Sequence, residues 1–162
     1  MTTLRLDFRF LLAHPAHLIA FGFGSGLAPK APGTVGTLLG LPLYWLIVAV
    51  APDLPNQIIL LIAAFLLGVW ACGRTGRALG VADHGGMVWD EIVAFALVLM
   101  FTPAGWLWMA LAFALVRLFD ILKPWPIRLA DTLLKNGFGV MFDDLLAAGY
   151  AIAALTGLQW LV

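Results

Sequence analysis

The sequence predicts an all-α protein, a polytopic membrane bundle of four to five transmembrane helices that includes a short hairpin. Three observations predict it. The chain of 162 residues is 63% hydrophobic and only 11% charged, with a mean hydropathy of +1.01, where soluble domains carry about 25% charged residues. Its charge-free runs approach the roughly 20 residues that cross a bilayer. The basic residues between those runs all fall to one side when the chain is threaded back and forth, as cytoplasmic loops do. The length suits a single domain covering residues 1–162. Nine basic and nine acidic residues give zero net charge, so no nucleic-acid footprint is present. Cys72 is the only cysteine, which excludes an internal disulfide and a multi-cysteine metal site.

In chain order, residues 1–13 set Arg5, Asp7 and Arg9 among apolar neighbours, a pattern expected of a short interfacial segment. Asp7, His14, Pro15 and His17 interrupt the apolar run, so it does not read as a signal peptide, and retention in the membrane is expected. His14 and His17 are expected at a surface or interface rather than as ligands. Residues 22–37 hold five glycines and two prolines and read as a loop of special backbone geometry. Thr34 is a candidate N-cap for the helix that follows. Such a loop can offer backbone N–H groups to a phosphate, with Lys30 adding a point charge; equally, it can be a tight connection packed under the helices.

The runs Ala31–Pro52 and Leu54–Gly73 are each near bilayer length, with Asp53 between two prolines at the turn. Ile92–Val116 is interrupted by Thr102–Gly105, which predicts a thin or tilted helical hairpin. Leu145–Val162 is long enough to cross alone. The turns around Asp53 and Thr102 contain no Lys or Arg, whereas Arg5, Arg9, Lys30, Arg74, Arg77, Arg117, Lys123, Arg128 and Lys135 lie on the other side. That side, predicted to be cytoplasmic, also collects Asp83, Asp90, Glu91, Asp120, Asp131, Asp143 and Asp144.

Two adjacent acid pairs stand out. Asp90-Glu91 closes the stretch Asp83–Glu91 and runs directly into an apolar segment; Asp143-Asp144 holds the same place before the last run. Charges at such a lip are costly to desolvate unless a cation neutralises them. With His84 the sole nearby imidazole, the donors are hard oxygens that favour Mg²⁺ over zinc. The competing reading is that each pair merely stabilises a helix N-terminus. Arg117, Asp120 and Lys123 recur every three residues along one helical face. They form either an ion-pair ladder or a phosphate grip in which Arg117 and Lys123 hold oxygens and Asp120 orients them or binds metal. Asp131 and Lys135 form an ordinary i,i+4 pair. No Cys-x5-Arg loop is present, which excludes a cysteine phosphatase.

Four segments in order, Gly24–Thr37 (GSGLAPKAPGTVGT), Val88–Val93 (VWDEIV), Arg117–Ile127 (RLFDILKPWPI) and Gly137–Asp144 (GFGVMFDD), resemble the signature segments of phosphatidylglycerophosphatase A. The resemblance runs from about Phe21 to about Ala148. It implies a bacterial inner-membrane, Mg²⁺-dependent lipid phosphatase that removes the terminal phosphate of phosphatidylglycerophosphate at the cytoplasmic face. It carries over Asp83, Asp90, Glu91, Asp143 and Asp144 as the acidic motifs, with Lys30, Arg117, Asp120 and Lys123 beside them. Ala94 stands where the family pattern has glycine, and Gly85-Gly86 loosens the segment before Trp89; both departures bear on helix packing rather than chemistry. The expected metal ligands are Glu91, Asp90, Asp143, Asp144 and Asp83. The expected phosphate contacts are Lys30, Thr34, Arg117 and Lys123. Attack is expected from water, with a phospho-aspartate at Asp90, Asp143 or Asp120 as the other route. The alternatives in other classes are a small cation-binding transporter or channel and a non-catalytic assembly subunit of lipid synthesis.

Overall fold

The computed structural model describes residues 6–161, and within them the chain is helical with no strand. Arg5 lies outside the described residues. Two short helices, α1 (Phe8–Leu12) and α2 (Pro15–Ala20), lead through a 3₁₀ segment, Gly22–Leu27, into α3 (Pro32–Leu38) and α4 (Gly40–Val50). Then come α5 (Leu54–Leu79), α6 (Trp89–Met100), α7 (Trp106–Leu122), α8 (Ile127–Leu133) and α9 (Gly137–Gln159). Three stretches are long and apolar enough to cross a membrane: Pro32–Val50, Leu54–Leu79 and Gly137–Gln159. Helices α6 and α7 form the expected hairpin, joined at Thr102–Gly105. Gly105 adopts φ 127° there, a backbone that L side chains rarely take.

Helix α9 is the axis of the bundle, packing against α5, α6, α7 and α8. One apolar core joins α2, α5 and the start of α6, through residues such as Phe21, Cys72, Val88 and Met141. A second lies between α6, α7 and α9, through Phe95, Val98, Val116 and Leu155.

Several boundaries differ from the sequence expectation, each for an identifiable reason. The helix after the glycine-rich stretch begins at Pro32, so Thr34 lies inside α3 and is not its N-cap. Proline at the first helical position has a preset φ and no N–H to orphan, and it starts the helix without help from a side chain. Residues 32–37 of the expected loop are therefore helix. Helix α5 runs six residues beyond the apolar run to Leu79, because Arg74, Thr75 and Arg77 are compatible with a helix leaving the membrane. Helix α9 begins at Gly137, where Asn136 accepts from Gly139 N–H at 2.9 Å, eight residues before the apolar run. Asp143 and Asp144 thus lie within α9, beyond its first turn. His17 is buried, not superficial: its Nδ1 meets Thr75 Oγ1 at 2.9 Å and its ring stacks on Phe10. His14 caps α2 by accepting from Ala16 N–H.

Candidate active site

Helices α6 and α9 bring four carboxylates to one end of the bundle, and α7 lays Asp120 beside them. Asp90 and Glu91 sit in the first turn of α6, Asp143 and Asp144 further along α9. Asp90, Asp143 and Asp144 are 8%, 4% and 3% exposed, a degree of burial that charged side chains reach only when compensated. Their placement separates the two readings of the acid pairs. Stabilisation of a helix dipole acts within the first turn; that can explain Asp90 and Glu91 but not Asp143 and Asp144.

Two of the cations expected to hold phosphate, Arg117 and Lys123, are engaged with acids instead. Arg117 Nη1 donates to Glu91 Oε1 at 2.8 Å and pairs with Asp120 Oδ2 at 2.6 Å. Lys123 ends α7 in a left-handed conformation (φ 42°); its Nζ donates to Asp143 Oδ2 and lies 3.2 Å from Asp131 Oδ1. Burial alone would depress the Lys123 ammonium. The hydrogen bond to Asp143 and the charges of Asp143 and Asp131 outweigh it and hold the pKa above the ordinary lysine range. Asp131 also carries the expected pair with Lys135, at 3.8 Å.

Compensation is incomplete. Asp90 Oδ1, Glu91 Oε2, Asp144 Oδ2 and Arg117 Nε are buried without a hydrogen-bond partner. Native structures leave few such atoms, and a cluster of them calls for a partner outside the chain. Three orphaned carboxyl oxygens are the donor type a hard cation takes, and Arg117 Nε is a donor of the kind an anionic oxygen takes. Among the described residues no group of three or more His, Cys, Asp or Glu side chains is placed to hold a metal ion by itself. That is compatible with Mg²⁺, which keeps much of its water and needs few carboxylates.

The remaining expected residues are more peripheral. Asp83 is exposed on the connection between α5 and α6, where Lys123 and Lys135 are the cations that act on it. His84 Nδ1 accepts from Gly86 N–H at 3.0 Å and shapes that connection. Lys30 is exposed and makes no ion pair among the described residues, and Thr34 is half-buried without a side-chain hydrogen bond. The structure gives neither a polar contact with the cluster. Sequence spacing missed Gly33 and Gly36, whose bare faces lie against Glu91 and Val88.

Fold and site together define an integral membrane helical protein with a buried acidic centre at one end of its bundle. Residues 18–159 match the phosphatidylglycerophosphatase A family, and the chain belongs to that family, which makes it a phosphatase. It is 48% identical over 152 residues to phosphatidylglycerophosphatase A of Haemophilus influenzae, covering 92% of this chain and 91% of that one. It is 40% identical over 140 residues to the Escherichia coli protein of the same name, covering 86% and 80%. A Bacteroides thetaiotaomicron protein provisionally named a phosphatidylinositol-3-phosphatase is 36% identical over 152 residues, covering 90% and 94%. No solved structure matches.

Proposed function

We propose that this chain hydrolyses the terminal phosphate monoester of phosphatidylglycerophosphate to phosphatidylglycerol and phosphate, with Mg²⁺, at the cytoplasmic face of the bacterial inner membrane. The observation that carries the reading is the trio of buried, unpartnered oxygens on Asp90, Glu91 and Asp144. The names of the Haemophilus and Escherichia relatives supply the lipid. The basic residues between the spans favour the cytoplasmic side.

Asp90, Glu91 and Asp144 would hold the Mg²⁺, with Asp143 beside them and Asp83 at the rim. When bound there, Mg²⁺ would supply positive charge to offset that of the phosphate oxygens. Arg117 keeps Glu91 and Asp120 in register, and its unpartnered Nε would donate to a phosphate oxygen. Lys123 fixes Asp143 from the rim, with Lys30 and Thr34 on the approach. Water attacks phosphorus as the ester P–O bond breaks. A carboxylate, Asp143 or Asp120, takes the water's proton, and the departing alkoxide is protonated to the lipid hydroxyl. The phospho-aspartate route predicts an acyl phosphate that hydroxylamine would trap; the water route predicts none. The transporter and assembly-subunit alternatives are not favoured by the family to which the chain belongs.

The test is phosphate release from phosphatidylglycerophosphate by the detergent-purified protein, with Mg²⁺ and then with excess chelator. Release that stops with chelator is expected. Release indifferent to chelator would remove the metal role of the acids, and no release in either condition would remove the substrate.

A further inference from the structure

Glu91 is held from two sides, and only one of them is electrostatic. Arg117 Nη1 binds Oε1 at 2.8 Å. On the other side lies helix α3, which turns two glycines one helical turn apart toward the first turn of α6. A methyl group on Gly33 would overlap Oε1 and crowd Cδ and Oε2 at 2.9 and 3.0 Å; one on Gly36 would strike Val88 and come within 3.2 Å of Oε2. Both glycines are buried. A glutamate side chain has three rotatable bonds and, held by one hydrogen bond, keeps considerable freedom. Wedged between a guanidinium and a bare stretch of helix, the carboxylate is restrained on both sides.

We propose that Gly33 is a positioning residue for the reaction: its missing side chain makes the seat that fixes the Glu91 carboxylate, and Gly36 extends that seat. This rests on the role given to Glu91 above, and it assigns the second half of the glycine-rich segment to the placement of an acid rather than to direct contact with phosphate. Gly33 touches no reacting atom. It acts through Glu91, and displacements of about an ångström in such groups cost on the order of 100-fold in rate.

The collision is between one added methyl and one side chain, so shortening the side chain should relieve it. Gly33→Ala, Glu91→Asp and the double variant are compared with the wild-type full chain in detergent. Gly157→Ala, at a helical glycine with open space around it, is the control. Phosphate release from phosphatidylglycerophosphate and Tm with and without Mg²⁺ are measured on each. Gly33→Ala is expected to lose between about 10- and 100-fold in turnover and most of the Mg²⁺-induced rise in Tm. The double variant is expected to turn over faster than Gly33→Ala alone, and Gly157→Ala to match wild type. Wild-type turnover in Gly33→Ala, or losses that simply multiply in the double variant, would overturn the proposal. If the wild type releases no phosphate from this lipid, the substrate reading falls, while the coupling of the two substitutions in Tm without Mg²⁺ still decides the seat. Should Gly33→Ala fail to accumulate, Gly33→Ala combined with Glu91→Ala accumulates if Glu91 is what it strikes; failure of that pair also overturns the seat.

Discussion

Aspartates at the two ends of this bundle do opposite things. At the turn between α4 and α5, Asp53 caps α5 by accepting from Asn56 N–H at 3.0 Å and Asn56 Nδ2 at 2.7 Å. It is exposed, and those bonds hold its carboxyl below the usual range. At the other end, Asp90 and Asp144 are buried with an oxygen each left unpaired. The same side chain is satisfied at the capping turn and deprived at the end of the bundle where chemistry is proposed. A deprived carboxylate is costly to the fold, and its persistence is intelligible when a bound cation completes it.

The largest effect expected from this contrast is on turnover. Asp144→Asn and Glu91→Gln should each lower phosphate release by about a hundredfold or more while the protein still inserts in membranes. Near-normal turnover in both would erase the difference between the ends. Next in size is a gain: in excess chelator, Asp144→Asn should be more stable than wild type by about 1–3 kcal/mol, because an amide removes one acid from a crowded cluster and its NH2 can donate to the neighbouring oxygens. Thermal unfolding would read it, and a loss of stability would mean that Asp144 is compensated after all. Lys123→Gln should destabilise by about 1–2 kcal/mol, less than a fully buried pair would lose, since Lys123 is a quarter exposed. Asp53→Ala should lower Tm slightly and leave turnover at the wild-type value; a catalytic defect there would break the comparison from the other end.

The smallest effect concerns His17. Burial first, then the charges of His14 and Arg74, hold its pKa below the ordinary histidine value. The unfolded chain therefore takes up a proton on acidification that the folded chain resists, so stability falls as pH drops through about 6.5. Tm should decline from about pH 7.5 to 5.5, and His17→Gln should flatten that part of the decline.

Much of this molecule was legible because hydropathy and turn chemistry are local. The spans, the break at Thr102–Gly105 and the gathering of acids on one side follow from runs of residue types. What escaped was set by contacts across the sequence. The pattern Arg117, Asp120, Lys123 reveals the pair within one helix, but the partners Glu91 and Asp143 come from α6 and α9. The start of α9 was hidden because a charge ends an apolar run without ending a helix. Gly137 instead packs its backbone against Val69 and Gly73 of α5, and Gly139 against Leu134. Nor could spacing distinguish a glycine that frees the backbone from one that makes room, as Gly33 does for Glu91.

One consequence of α9 concerns reach. From Asp144 to Gln159 the helix continues unbroken, about 22 Å at 1.5 Å per residue, while the hydrocarbon layer is about 30 Å thick. With Gln159 at the far boundary, the acids would sit below the near one unless the bilayer thins to meet them. A single rigid helix would then act as a ruler, and lipids would be sorted by how deep their terminal phosphate can ride as well as by its chemistry.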